Sequence, residues 1–316
     1  MKYFRHLVLL ACFSTSASWA ALEPWFTGPV LAPSGHTIPK GHLNFEPYAM
    51  FTDSFGVYNR NWSVHKVPDT KRLSIMPVIS YGLTDYMDFQ AVLPYAQNWK
   101  QDQHDSGIGD ITLILGVQAY KQKAGDWLPS LRMTVGELIP VGNYQNLNPA
   151  KQGIVATGQG AFQTSFGLNF QHLSQPYDDH YLRTRLSLSA TVPHVVNVKG
   201  FNAYGGGVGT NAMVDPGRVL QADLAFEYQL TQNWVPVLEV MVLDRAPSSF
   251  KGTRGRTLTG LPASIGYGEV EQVTLAPALE YNINERMGLI AGVWFSLTGK
   301  ETNQFVTGAI AFNYFM

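Results

Sequence analysis

The sequence is short of cysteine, of charge and of long apolar runs, and each shortage removes a class of protein. The single cysteine, Cys12, falls within Leu7 to Phe13, an apolar stretch that follows Lys2, Arg5 and His6 and leads into small residues ending Ser18-Trp19-Ala20. That layout predicts a secretory signal peptide over residues 1–20, with cleavage after Ala20. Leu9-Leu10-Ala11-Cys12 has the order of a lipoprotein cleavage site, but the apolar run before it is about five residues, below the usual seven. The chain after Ala20 has no thiol, which excludes disulfides, thiolate metal sites and cysteine catalysis.

Charged residues make up 14% of the chain, against roughly 25% in soluble domains. A membrane-spanning helix needs about 18 apolar residues in succession, and no run approaches that. Without Lys2 and Arg5, 20 basic and 23 acidic residues remain, a net charge of −3. No basic field for nucleic acid is present.

What the sequence has in quantity is alternation. In "QADLAFEYQL", residues 221–230, Gln, Asp, Ala, Glu and Gln alternate with Ala, Leu, Phe, Tyr and Leu. Period two is the mark of a strand with unlike faces. The same pattern fits Leu43 to Phe51, Arg72 to Tyr81, Met87 to Tyr95, Asp110 to Ala119, and segments near 131–139, 161–171, 181–191, 235–243, 271–282, 287–297 and 304–316. About twelve strands are predicted.

The connections alternate too. Those at Gly82–Asp85, Lys121–Trp127, Ser174–His180, Thr231–Asn233 and Asn282–Arg286 are short; those at Thr52–Thr70, Val141–Gln159, Pro193–Gly217 and Asp244–Glu269 are long. Asn98–Ser106 and Thr298–Thr302 are shorter exceptions. Short turns on one rim and long loops on the other predict an all-β fold, a transmembrane antiparallel up-and-down β-barrel in the outer membrane of a Gram-negative bacterium. A secreted sandwich would carry Lys and Glu on its polar faces, whereas these faces hold mostly Ser, Thr, Gln, Asn and Gly. The last strand alternates through Gly308, Ile310, Phe312, Tyr314 and Met316 with no polar tail, although outer-membrane barrels usually end on an aromatic residue and here Phe315 stands one place early.

In hydrocarbon the apolar face turns outward, so Leu224, Phe226 and Tyr228 are expected to meet lipid. The same parity turns Glu46, Arg72, Asp88, Asp110, Arg132, Arg183, Arg185, Asp223, Glu227, Glu239 and Glu280 into the lumen. These could orient a solute in a mildly cation-preferring pore, with Arg183 and Arg185 as the strongest candidates. The plainer expectation is that they pair across the lumen, since an unpaired buried charge is costly. Glu137 falls on the lipid parity, which requires either a bulge or a position near the headgroups.

Residues 21–40, "ALEPWFTGPVLAPSGHTIPK", hold four prolines and are unsuited to a lipid-facing strand. They are expected to form a loose periplasmic lead to a barrel over residues 41–316, with a small plug as the alternative. No Gly-x-Ser-x-Gly elbow or His-Glu-x-x-His pair occurs, so no catalytic residue, metal or cofactor is predicted. His104-Asp105-Ser106 reads as a solvated outer loop, and Gly205-Gly206-Gly207-Val208-Gly209 as a flexible one.

Three stretches, "YGLTDYMDFQAVLPY" at 81–95, "GIGDITLILGVQAYK" at 107–121 and "LRMTVGELIPVG" at 131–142, resemble consecutive blocks of the meta-pathway of phenol degradation family. Gly107, Gly109 and Asp110 match its Gly-x-Gly-Asp block and Tyr81 to Asp85 its turn, while Val141 departs from its usual Thr. The resemblance implies an outer-membrane barrel acting as a passive channel or uptake route for small molecules, aromatic or hydrophobic ones among them. Its partners would then be outer-membrane lipid and a small-molecule solute. An outer-membrane lipid hydrolase and a structural or adhesin barrel with a blocked lumen are the alternatives.

Overall fold

The computed structural model describes residues 24–151, 153–177 and 180–316; the signal peptide expected over residues 1–20, with Cys12, lies outside them. The chain forms a closed barrel of 12 antiparallel strands. In chain order these are β1 (Leu43–Tyr58), β2 (Val64–Thr84), β3 (Met87–Val92 continued by Tyr95–Lys100), β4 (Gln103–Ile108 continued by Ile111–Tyr120), β5 (Ser130–Ile139) and β6 (Gln163–Tyr177). They are followed by β7 (His180–Pro193), β8 (Val219–Tyr228), β9 (Trp234–Arg245), β10 (Val270–Asn282), β11 (Met287–Lys300) and β12 (Thr302–Phe315).

Each strand pairs with its neighbours in sequence, and β12 returns to β1 with Asn44 opposite Phe315. Closure leaves no unpaired edge, which is the condition for strands to cross hydrocarbon. The seam is finished by Leu43 and Met316, whose N–H groups donate to each other's carbonyls at 3.0 and 2.7 Å. Met316 therefore completes the ladder, and Phe315 stacks on His42 with ring centroids 5.0 Å apart.

Two strands are interrupted at the same level. Pro94, which has no N–H to give a ladder, breaks β3, and Gly109-Asp110 breaks β4 beside it. One backbone hydrogen bond, Gly109 N–H to the Pro94 carbonyl at 2.8 Å, holds the two breaks together.

The face assignment reads directly from exposure. Leu224 is partly exposed and Phe226 is 38% exposed on the outside, while Asp223 and Glu227 on the opposite face are 1% and 0% exposed. Tyr81, Trp234, Tyr281 and Tyr314 are exposed at the end that carries the short turns and both ends of the strand sequence, an aromatic girdle of the kind found at a membrane interface. That end is the periplasmic one. Glu137 is outward, with no bulge in its register against β6, and accepts the Thr164 hydroxyl at 2.7 Å two residues from the outer end of β5. No bulge accounts for its parity, and its place near the end of the strand agrees with the headgroup alternative.

The outer rim corrects two expectations. Thr52–Thr70 is mostly strand: β1 and β2 run on past the membrane as a hairpin joined at residues 59–63. The glycine run is packed and ordered. The long loops fold into a cap built on a three-stranded sheet of Val196–Lys199, Asn211–Asp215 and Ser249–Thr253, with its own core of Ala161, Val196, Val198, Tyr204, Ala212 and Val214. Gly206 donates its N–H to Ser264 at 2.8 Å, and a Cβ on Gly207 would lie 2.0 Å from the Arg256 carbonyl oxygen. Those glycines are there because two chain segments meet backbone to backbone.

Candidate functional site: the lumen and the segment that crosses it

Residues 24–40 do not hang in the periplasm. They cross the inside of the barrel near its periplasmic end, from β10 to β2, which corrects the expectation of a loose lead. A segment with four prolines cannot join a ladder, so its remaining N–H groups need acceptors from side chains. The lumen supplies them. Thr27 N–H donates to Glu280 Oε2 at 2.8 Å and its hydroxyl to Asn282 at 2.9 Å. Glu239 takes three successive N–H groups, from Val30 at 2.6 Å, Leu31 at 3.0 Å and Ala32 at 2.8 Å. Gly35 donates to Gln171 at 3.3 Å, Thr37 to Gln118 at 2.8 Å and Ile38 to Asp88 at 3.0 Å.

The carbonyls are met as well. Arg185 donates to the Ala32 oxygen at 3.1 Å, Gln118 to the Gly35 oxygen at 2.9 Å, and Asn282 to the Trp25 oxygen at 3.1 Å. Val30 packs with Met50, Val237, Ile290, Ala309 and Ala311, an apolar half of the wall formed by β1, β9, β11 and β12. Phe26 lies under Arg183, 4.2 Å from its guanidinium carbon. At the far end Lys40 bridges Gly82, where a Cβ would stand 1.9 Å from the Pro39 carbonyl oxygen; the turn needs glycine so that the lead can pass.

Each inward charge anticipated from parity has a definite place. Asp88 is bound by Arg132, Nη2 to Oδ1 at 2.7 Å, across β4, where Gly116 leaves the room: a Cβ there would be 2.1 Å from Asp88 Oδ1. Glu227, fully buried, is held by Arg183 Nε at 2.8 Å and lies 3.0 Å from Arg185 Nε. Glu46 accepts the Tyr48 hydroxyl at 2.8 Å, and Arg72 donates to Ser74 at 3.2 Å. Asp110 accepts N–H groups of Gly142 at 3.0 Å and Gln159 at 2.7 Å, drawing the loop after β5 over the mouth. Glu239 and Glu280 hold the lead as described. Asp223, 1% exposed, hydrogen-bonds to nothing among the described residues.

Parity places Gln118, Ser130 and Gln171 inward too, but nothing in their own strands signals that they serve the lead. His36 of the lead meets Ser130 Oγ at 2.7 Å. Its imidazole is pushed down to about 4, first by burial and then by the charges of Arg183, Lys121 and Arg185. His104, Asp105 and Ser106 fall on alternating faces of β4, so they form no triad.

The lumen has a floor. One register row, Arg132, Asn169, Ser187, Asp223, Met241 and Thr274, is buried throughout. The row beneath it, Ser130, Gln171, Arg185, Ala225, Glu239 and Ala276, is buried under the lead. The row above, Thr134, Gly167, Ser189, Gln221, Leu243 and Gln272, is partly exposed, so the close packing of the floor ends at that level.

The sequence profile described as "Putative MetA-pathway of phenol degradation" matches residues 33–314. The chain belongs to that family. No curated protein matches it. Among solved structures, an outer membrane channel from Pseudomonas putida F1 is similar at 15% identity and a TM-score of 0.66, over 89% of this chain and 97% of that one. The translocator domain of the autotransporter NalP from Neisseria meningitidis has 13% identity and a TM-score of 0.41, over 86% and 88%. A deletion mutant of the monoaromatic hydrocarbon channel TodX has 11% identity and a TM-score of 0.38, over 87% and 91%. The family membership and the first of these likenesses agree with the outer-membrane barrel read from the strand pattern.

Proposed function

We propose that the protein is a passive outer-membrane channel for small molecules, aromatic and other hydrophobic ones included, and that the lead is its removable closure. The observation that carries this reading is how the lumen is closed: a segment tied to the wall by hydrogen bonds and one apolar contact patch, with the close packing ending above it. A closure held by separable contacts can move, whereas side chains filling a small barrel cannot be cleared without unfolding it. The wall is two-sided, with Met50, Val237, Met241, Ile290 and Phe305 on one half, which suits a solute with an apolar body. No energy-coupling element and no catalytic constellation enter the proposal.

The test is solute flux into proteoliposomes, comparing the native protein with a Glu239→Ala/Glu280→Ala variant. Flux that rises in the variant supports the channel. No flux through either, from protein shown to be inserted and folded, overturns it in favour of a structural barrel with a blocked lumen.

A further inference from the structure

Six inward acids, Glu46, Asp88, Asp223, Glu227, Glu239 and Glu280, share the lower lumen with three arginines, of which Arg132 is bound to Asp88. Arg183 is bound to Glu227, while Arg185 lies 3.0 Å from Glu227 and donates to the Ala32 carbonyl. Glu239 and Glu280 are met by N–H groups of the lead, and Glu46 by the Tyr48 hydroxyl. Asp223 alone accepts no hydrogen bond on either oxygen: both are enclosed, and no described residue donates to them. Its neighbours across the ladder cannot help, because Ser187 gives its hydroxyl to Asn169 at 2.8 Å and Met241 has no donor. A carboxyl so enclosed keeps its proton in preference to standing as a bare anion, and gives it up to a partner that brings positive charge of its own.

We propose that Asp223 binds the positively charged group of a solute, a protonated amine, at the floor of the outward-facing lumen. The inference rests on the lumen being a solute path and adds what that path recognises. Asp223 lies one residue layer beneath the partly exposed Gln221 and Ser189, the layer that an ammonium arriving from outside would pass. Met241 stands directly opposite, and Val237 continues the same face of β9 into the apolar half of the wall. The site thus pairs an unpartnered carboxyl, which ionises on meeting a cation, with an apolar surface, and the class of ligand that fits is a small amine with an apolar or aromatic body.

The probe is 4-fluorobenzylammonium, with 4-fluorobenzyl alcohol as its neutral counterpart of matching shape, each followed by 19F line broadening against the full-length protein in detergent micelles. Asp223→Asn keeps the shape and removes the charge. The native protein is expected to bind the ammonium about tenfold or more tighter than the alcohol, in line with a charge-assisted hydrogen bond, and Asp223→Asn to bind the two alike. Equal binding of both by the native protein, or preference retained in Asp223→Asn, overturns the assignment. Should that variant fail to insert, displacement in the native protein decides: ethylammonium must release the probe where ethanol at equal concentration does not, and failure of both to release it counts against the site. Because this reads binding and not flux, charge preference in a protein that passes no solute would sink the channel and leave the site standing.

Discussion

Glu239 and Val30 are 209 residues apart in the chain and meet at 2.6 Å inside the barrel, where the carboxylate also takes the N–H groups of Leu31 and Ala32. The contact is what turns a proline-rich lead into a floor.

Removing that carboxylate should loosen the lead and leave the barrel standing. Each N–H deprived of its acceptor away from water is worth about 1–3 kcal/mol. Glu239→Ala is expected to speed amide exchange at Val30, Leu31 and Ala32 by about tenfold or more, while exchange in β1 and β12 stays as in the native protein. Unchanged exchange at those three amides would mean that the lead is held by its apolar contacts alone.

Acid should weaken the same docking. His36 is uncharged when docked, and its ionisation lies at about 4 there because of burial and nearby cations, against 6.5 when free. The released lead therefore binds more protons than the docked one. Docking is at full strength above 6.5 and declines as pH falls from 6.5 towards 4. Protease access to the lead should increase over that window, and His36→Gln should flatten the increase.

Asp110 should matter to the outer mouth and not to the strands. Its two acceptor contacts, to Gly142 and Gln159, tie down both ends of the loop after β5. Asp110→Ala is expected to expose Lys151 to trypsin with little change in thermal unfolding; resistance equal to the native protein would show the loop secured by its contacts with the cap.

Inside and outside are tested on β8. Phe226, exposed on the outer face of β8, should cost roughly 2–4 kcal/mol of refolding stability when replaced by Arg. Asp223→Asn, three residues away on the inner face, should change it little. Comparable losses from the two in a urea titration would argue against the lipid-facing assignment of this strand.

The sequence by itself determined the strands, their number and their two faces, because alternation is a local property: a residue's side is set by its parity, and Asp223 and Phe226 sort correctly from "QADLAFEYQL" alone. Breaks were legible only in part; Pro94 and Gly109 stand out, but their lying side by side follows from strand pairing. What the inward groups do was decided by the tertiary structure. Nothing in the neighbourhood of Glu239 announces three backbone donors from residues 30–32, and nothing near Gly205 and Gly207 announces the Ser264 and Arg256 backbones packed against them. Those contacts join segments tens to hundreds of residues apart, and they exist because closing the barrel brings together polar groups that must be satisfied once water is gone.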